Sequence, residues 1–141
     1  MTNSQKTFHK MSFSYEFTVT EDLLDNYGHM NNAQYLRLYE DARWDILQKS
    51  GLGEETIRKH NTGPVILEVT VRFSNELRLG QKVIIETKSR RKGSKLFYFD
   101  QVMRDSNGII FSKAIFTAAL FNLKSRKMII PDEKWLKAFG F

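Results

Sequence analysis

Between Asp25 and Asn32 the chain crowds a carboxylate, a glycine three residues on, an imidazole (His29) and two carboxamides (Asn31 and Asn32) into one short loop. The loop opens directly into a helical pattern. Tyr35, Leu38, Tyr39, Ala42 and Ile46 recur at spacings of three and four, which lays one apolar stripe along a helix and makes Asn31 or Asn32 its N-cap. A helix start leaves backbone N–H groups unpaired, with the positive end of the helix dipole behind them. Such donors suit the oxyanion that forms when a carbonyl is attacked, and loss of one typically costs about 100-fold or more in rate. Asp25 is then the attacking group, or the base that activates it. The same residues also make an ordinary turn, in which Asp25 closes the bend, Gly28 takes a positive φ and the asparagines only cap the helix. Spacing alone does not separate the two.

The elements that must hold this loop are legible from periodicity. Phe13, Tyr15, Phe17 and Val19 alternate with polar neighbours and predict a half-buried strand over Ser12 to Thr20. The helix is predicted from about Asn32 to Lys49, stopped by Ser50-Gly51, with a short second helix from Glu54 to Lys59 before Thr62-Gly63-Pro64. From Val65 the period changes to two, placing Val65, Leu67, Val69, Val71 and Phe73 on one face. Strands follow at Val83 to Arg91, Leu96 to Arg104 and Ile109 to Phe121, the last two separated by an Asn-Gly pair favoured in tight hairpins. The final strand is apolar on both faces, so it is expected at the centre of the sheet or at a subunit seam. The sum is an α+β architecture in which one long helix is wrapped by a five-stranded antiparallel sheet. Residues 1–11 are expected to form a flexible leader and residues 12–141 a single domain. The connection from Gly53 to Gly63 and the tail from Pro131 to Phe141 carry no firm pattern. Exposed sheet edges favour pairing with a second copy.

Asp25, Gly28, His29, Asn31, Asn32, Tyr35 and Glu40 resemble the D-x-x-G-H-x-N-N-x-x-Y-x-x-x-x-E signature of hotdog-fold acyl-CoA thioesterases, the 4-hydroxybenzoyl-CoA thioesterase-like group. The likeness runs from about Phe13 to Phe121, where Gly63-Pro64-Val65, Glu68 to Phe73 and Glu76-Leu77-Arg78-Leu79-Gly80 look like the group's second strand and following turn. It departs at Leu23-Leu24, where many members are more polar, which implies a more apolar pocket. The resemblance implies a hotdog domain that hydrolyses an acyl-CoA thioester to a carboxylic acid and free CoA. Asp25 would be general base or nucleophile and the Asn32 N–H the oxyanion donor. Gly28 would allow close backbone approach, and His29 and Asn31 would orient the loop or hold the substrate's amide arm. Tyr35 would be partly pocket wall, and Glu40 an interface or supporting acid. A homodimer with active sites at the subunit interface, often assembled into a tetramer, is implied as well. No cofactor and no metal is implied.

The formal net charge of +6 suits nucleic acid, an anionic membrane or a polyanionic small ligand. Arg90, Arg91, Lys92 and Lys95 gather around Gly93. With the signature in place they are candidate contacts for the CoA phosphates, and without it they are a solvated hairpin. Arg78, Lys82, Lys113, Lys124, Arg126 and Lys127 are weaker candidates. The absence of cysteine excludes thiolate catalysis, Cys-type zinc sites and disulfides, and fits a reducing cytoplasm. His9, His29 and His60 lack metal-ligand spacing, and no phosphate-binding glycine pattern or Gly-x-Ser-x-Gly elbow occurs. No run approaches the roughly 18 apolar residues of a membrane span, so no stable membrane insertion is expected. Aromatic residues alternate inward along strands instead of forming an exposed stacking platform beside the cations, which disfavours nucleic acid as a partner. Three alternatives stay open. They are an acyl carrier protein thioesterase, a hotdog dehydratase, which lacks its His-Phe-Pro type motif here, and a non-catalytic acyl-CoA-binding module, which has no need of Asp25.

Overall fold

A computed structural model describes residues 11–141. The expected leader, residues 1–11, therefore lies outside the described residues except for exposed Met11. Alternation in the first strand, β1 (Phe13–Thr18), turns Phe13, Tyr15 and Phe17 inward. After a single 3₁₀ turn at Glu21–Leu23 comes α1 (Asn32–Lys49), bounded as the periodicity predicts. All five residues of the predicted stripe are buried, joined by Leu47. The short α2 (Glu54–His60) leads into β2 (Thr62–Phe73), followed by β3 (Lys82–Lys92), β4 (Leu96–Arg104), β5 (Ile110–Asn122), a short β6 (Lys127–Ile129) and α3 (Glu133–Ala138).

The strands form one antiparallel sheet in the order β1-β3-β4-β5-β2, whose concave face receives α1. Ring contacts mark that interface: Tyr35 meets Phe73 edge-on at 4.8 Å, and Tyr39 meets Phe116 at 5.7 Å. The doubly apolar β5 is central, flanked by β2 on one side and by β4 and then β6 on the other. The two edges are β1 and β2, and β2 departs from its predicted alternation. A bulge between Ile66 and Glu68 sets Leu67 out of register. Because one extra residue flips every side chain beyond it, Pro64 and Ile66 share the helix-facing side with Val69, Val71 and Phe73, while Val65 points to the other face.

The sheet has six strands, not five, and the patternless tail is part of the core. In that tail Trp135 and Phe139 are 6% and 1% exposed, and the Phe139 ring lies 4.5 Å from Phe97 and 5.4 Å from Phe99. Its helix α3 is too short to show a period, so its burial depends on the sheet it covers. Among the described residues no helix is long and apolar enough to cross a membrane.

Candidate active site at the start of the long helix

The loop before α1 is a tight five-residue turn. Asp25 N–H donates to the His29 carbonyl at 2.9 Å, Gly28 N–H donates to the Asp25 carbonyl at 3.2 Å, and Tyr27 N–H donates to Asp25 Oδ1 at 2.8 Å. Gly28 has a φ of +82°, a conformation costly to any residue with a Cβ. The chain builds the same turn again at Asp105. There Asp105 N–H donates to the Ile109 carbonyl at 3.0 Å, Gly108 N–H to the Asp105 carbonyl at 3.2 Å and Asn107 N–H to Asp105 Oδ1 at 2.9 Å, with a Gly108 φ of +86°. A D-x-x-G turn is therefore a structural device in this protein, and one oxygen of Asp25 serves it.

The surroundings separate the two turns. At Asp105 the same Oδ1 also accepts the Ile109 N–H at 2.9 Å, a purely backbone role. At Asp25 the second oxygen, Oδ2, lies 3.5 Å from His29 Nδ1, and the two side chains are 19% and 30% exposed. That carboxylate is half-sheltered, paired with an imidazole and still open to solvent. Tyr27, 86% exposed, stacks on the His29 ring at 6.0 Å.

Two staples fix the loop against the start of α1. Met30 N–H donates to the Leu77 carbonyl at 2.7 Å, and Asn31 N–H donates to the Leu23 carbonyl at 3.0 Å. Asn31 is the N-cap, its Oδ1 accepting from Ala33 N–H at 2.9 Å. Gln34 N–H is taken by the Asn31 carbonyl, which leaves the Asn32 N–H without an acceptor among the described residues. An exposed helix start with one free donor, a few residues from a half-sheltered carboxylate, can polarise a carbonyl oxygen while the carboxylate handles the attack.

A sequence model describing the thioesterase-like superfamily matches residues 18–139. The chain belongs to the thioesterase-like superfamily. Over 107 residues it is 28% identical to a long-chain acyl-CoA thioesterase of Escherichia coli, FadM, covering 75% of this chain and 80% of that one. A chloroplastic acyl-acyl carrier protein thioesterase of Arabidopsis thaliana is 27% identical over 120 residues, 83% of this chain and 62% of its own length. Among solved structures, a 1,4-dihydroxy-2-naphthoyl-CoA thioesterase from Synechocystis superposes with a TM-score of 0.83 at 17% identity, covering 92% of this chain and 96% of that one. A Staphylococcus aureus protein solved in complex with CoA also gives 0.83, at 19% identity and 92% and 82% coverage. The fold is the hotdog fold, and the protein is a thioester hydrolase.

In this thioesterase the remaining predicted residues divide. Tyr35 is core, 3% exposed, and burial raises the pKa of its phenol. Glu40 lies eight residues along α1 from Asn32, about 12 Å at 1.5 Å per residue. It is exposed and accepts from Trp44 Nε1 at 3.2 Å. The four cations near Gly93 do not form one patch. Arg90 is bound in a fork to Asp100 at 2.5 and 2.8 Å and stacks on Tyr98, which Lys92 also approaches at 5.6 Å. Arg91 points to the opposite face of β3, donating to the Ser94 carbonyl at 2.9 Å beside the Phe141 ring. Lys95 lies in the turn that follows.

Within one subunit these cations are at the far end of β3 from the Asp25 loop, about 33 Å along the strand from Lys82 to Lys92. The cation beside the loop is instead Arg78, whose backbone bridges to His29 and whose side chain pairs with Glu76 at 2.8 Å. Its place in the Glu76 to Gly80 turn was the signal for it. Sequence reasoning missed the buried polar chain behind the helix. Arg43 donates to Gln101 Oε1 at 2.8 Å, and Gln101 Nε2 donates to the Tyr39 carbonyl at 3.1 Å and to Thr87 Oγ1 at 3.0 Å.

Proposed function

We propose that the protein hydrolyses acyl-CoA thioesters, with Asp25 as general base or nucleophile and the Asn32 N–H as the oxyanion donor. The observation that carries this reading is the contrast between the two equivalent turns. Each turn uses one carboxylate oxygen, but only at Asp25 does the other lie against an imidazole, and only that turn opens onto a helix start with a free N–H. The thioester carbonyl sits with its oxygen at Asn32 N–H. Asp25 Oδ2 then takes a proton from attacking water, or attacks the carbonyl carbon directly to give an anhydride that water opens. Either route releases a carboxylic acid and the free thiol of CoA. His29 holds Oδ2 in place, and Asn31 sets the helix start.

The acyl-CoA assignment draws on the named activity of the E. coli relative and on the CoA complex of the structural neighbour. A homodimer belongs to the same reading. The unpaired edge of β2 exposes Ile66, Leu67, Val69 and Phe73 at 38 to 47%, an apolar edge strand that a second copy would cover. CoA phosphates would then be met by Arg78 at the loop, or by the Arg90 to Lys95 turn of another subunit. The reaction is read as cytoplasmic. The test is release of free thiol from short, medium, long and aromatic acyl-CoAs by wild type and by Asp25→Asn. Turnover that collapses in the variant is expected, and no turnover of any member by wild type overturns the reading.

A further inference from the structure

Arg43 is half-buried, yet no carboxylate of the described residues lies within salt-bridge distance of it. Its guanidinium covers the Phe116 ring at 4.0 Å and spends one N–H on Gln101, out of five available donors. Burial pushes its pKa down to about 10, so it stays protonated at neutral pH. The Glu40 charge, three residues back along α1, offsets part of that shift without bonding to Arg43, which leaves the unused N–H groups open to an anion.

Arg43 also lines a groove of about 210 Å³ between α1, the start of β2 and the tail, whose other walls include Trp44, Pro64, Ile66, Phe99 and Phe139. At about 30 Å³ per water, this volume suits a short aliphatic chain or a single aromatic ring. Glu40 lines the groove as well, but it is exposed, bonded by Trp44 and screened by solvent.

We propose that this groove binds a small carboxylic acid, its apolar body against the aromatic and aliphatic walls and its carboxylate against Arg43. The inference rests on the hydrolase reading, because the acid released from the thioester is a small carboxylate with an apolar body that every turnover supplies. Guanidinium is well matched to carboxylate, whose two oxygens accept from its parallel N–H groups.

Calorimetric titration of the full chain with hexanoate and 3-phenylpropanoate, each beside its uncharged amide, tests this. The acids are expected to bind at least tenfold more tightly than the amides. Arg43→Gln should abolish that ratio, and Arg43→Lys should keep part of it. Equal binding of acid and amide by wild type overturns the proposal, and so does a ratio that survives in folded Arg43→Gln. A wild-type ratio near one, with Arg43→Gln shifting dimer to monomer, assigns the groove to the second copy and overturns it too. Where Arg43→Gln does not fold, the wild-type ratio and Arg43→Lys decide. Thiol release measured on the same samples keeps the two readings apart. Hydrolysis without acid preference defeats only the groove, and acid preference without hydrolysis defeats only the acyl-CoA reading.

Discussion

Because Asp25 and Asp105 occupy equivalent turns, the pair Asp25→Asn and Asp105→Asn separates chemistry from folding inside one molecule. Asparagine keeps a side-chain oxygen to accept the Tyr27 or Asn107 N–H, so each turn survives and loses only the charge-assisted part of its hydrogen bonds. Asp25 Oδ1 accepts one backbone N–H, whereas Asp105 Oδ1 accepts two. Asp25→Asn should therefore cost about 1 kcal/mol of stability or less, and Asp105→Asn at least as much. Activity should order the other way. Loss of a general base removes about 100 to 10,000-fold in rate, equivalent to about 3 to 5 kcal/mol of barrier. Asp105→Asn should leave turnover within about twofold, because its bonded carboxylate oxygen serves only backbone N–H groups of its own turn. The assay is thiol release at saturating acyl-CoA, with thermal unfolding of each variant alongside. Asp25→Asn retaining a tenth or more of wild-type turnover would refute the assignment. Equal losses in both variants would show that the turn, and not the carboxylate, was being measured.

Gly28→Ala and Gly108→Ala meet no steric obstacle, so each should lose only the cost of a positive φ, about 1 to 2 kcal/mol, seen as a lower melting temperature. Gly63→Ala fails differently. Its new Cβ would lie 2.9 Å from Ile57 Cγ2, an overpacking of about 1 to 3 kcal/mol that Ile57→Leu, which removes that branch methyl, should partly relieve in a double-mutant cycle. Leu67→Lys places a charge at the 44% exposed bulge of β2 and should weaken a β2-paired dimer at least about tenfold by light scattering, with an unchanged dimer counting against that edge. Tyr39→Phe strips the 2.8 Å partner from Ser112 Oγ, which is 0% exposed, and should destabilise by about 1 to 3 kcal/mol in denaturant unfolding. Adding Ser112→Ala should recover most of it.

Periodicity made the long helix legible to the residue, because five stripe positions all had to be buried and an Asn stood at its start. The β2 faces were misread at Leu67, since a bulge inserts a residue without any change in composition. Helix α3 has six residues, too few for a period, and the core position of the tail shows only in contacts: Phe139 meets Phe97 and Phe99, and Trp135 meets Phe139. The site divides along the same line. Asp25, Gly28, His29, Asn31 and Asn32 are contiguous, so their juxtaposition is local and readable. Arg90, Arg91, Lys92 and Lys95 look clustered in one dimension, but strand alternation sends Arg91 to the face opposite Arg90, whose charge already belongs to Asp100. Arg43 and Gln101 are 58 residues apart, and nothing in the sequence announces their bond.

On the mechanism proposed above, that buried bond bears on how the helix start would serve as a fixed donor. Apolar packing alone holds a helix on a sheet without fixing how far it slides, because a row of aliphatic contacts is nearly as good one small step along. Directional hydrogen bonds remove that freedom. Gln101, 1% exposed, ties β4 to the Tyr39 carbonyl and to Arg43, and Tyr39 Oη donates to Ser112 of β5. Those bonds hold the middle of the helix, and its start is held by Met30 and Asn31, bonded to Leu77 and Leu23. The helix that carries the Asn32 N–H is thus tied at its middle to the strands and at its start to the segments flanking the Asp25 turn. An oxyanion donor works through preorganisation, so its contribution depends on not having to move as charge develops. A substitution at Gln101 that leaves the protein folded is therefore expected to lower kcat more than it raises KM, although the side chain is buried behind the helix. Gln101→Leu would be measured by thiol release over a range of acyl-CoA concentrations. An unchanged kcat in a folded variant would mean that the loop staples alone position the donor.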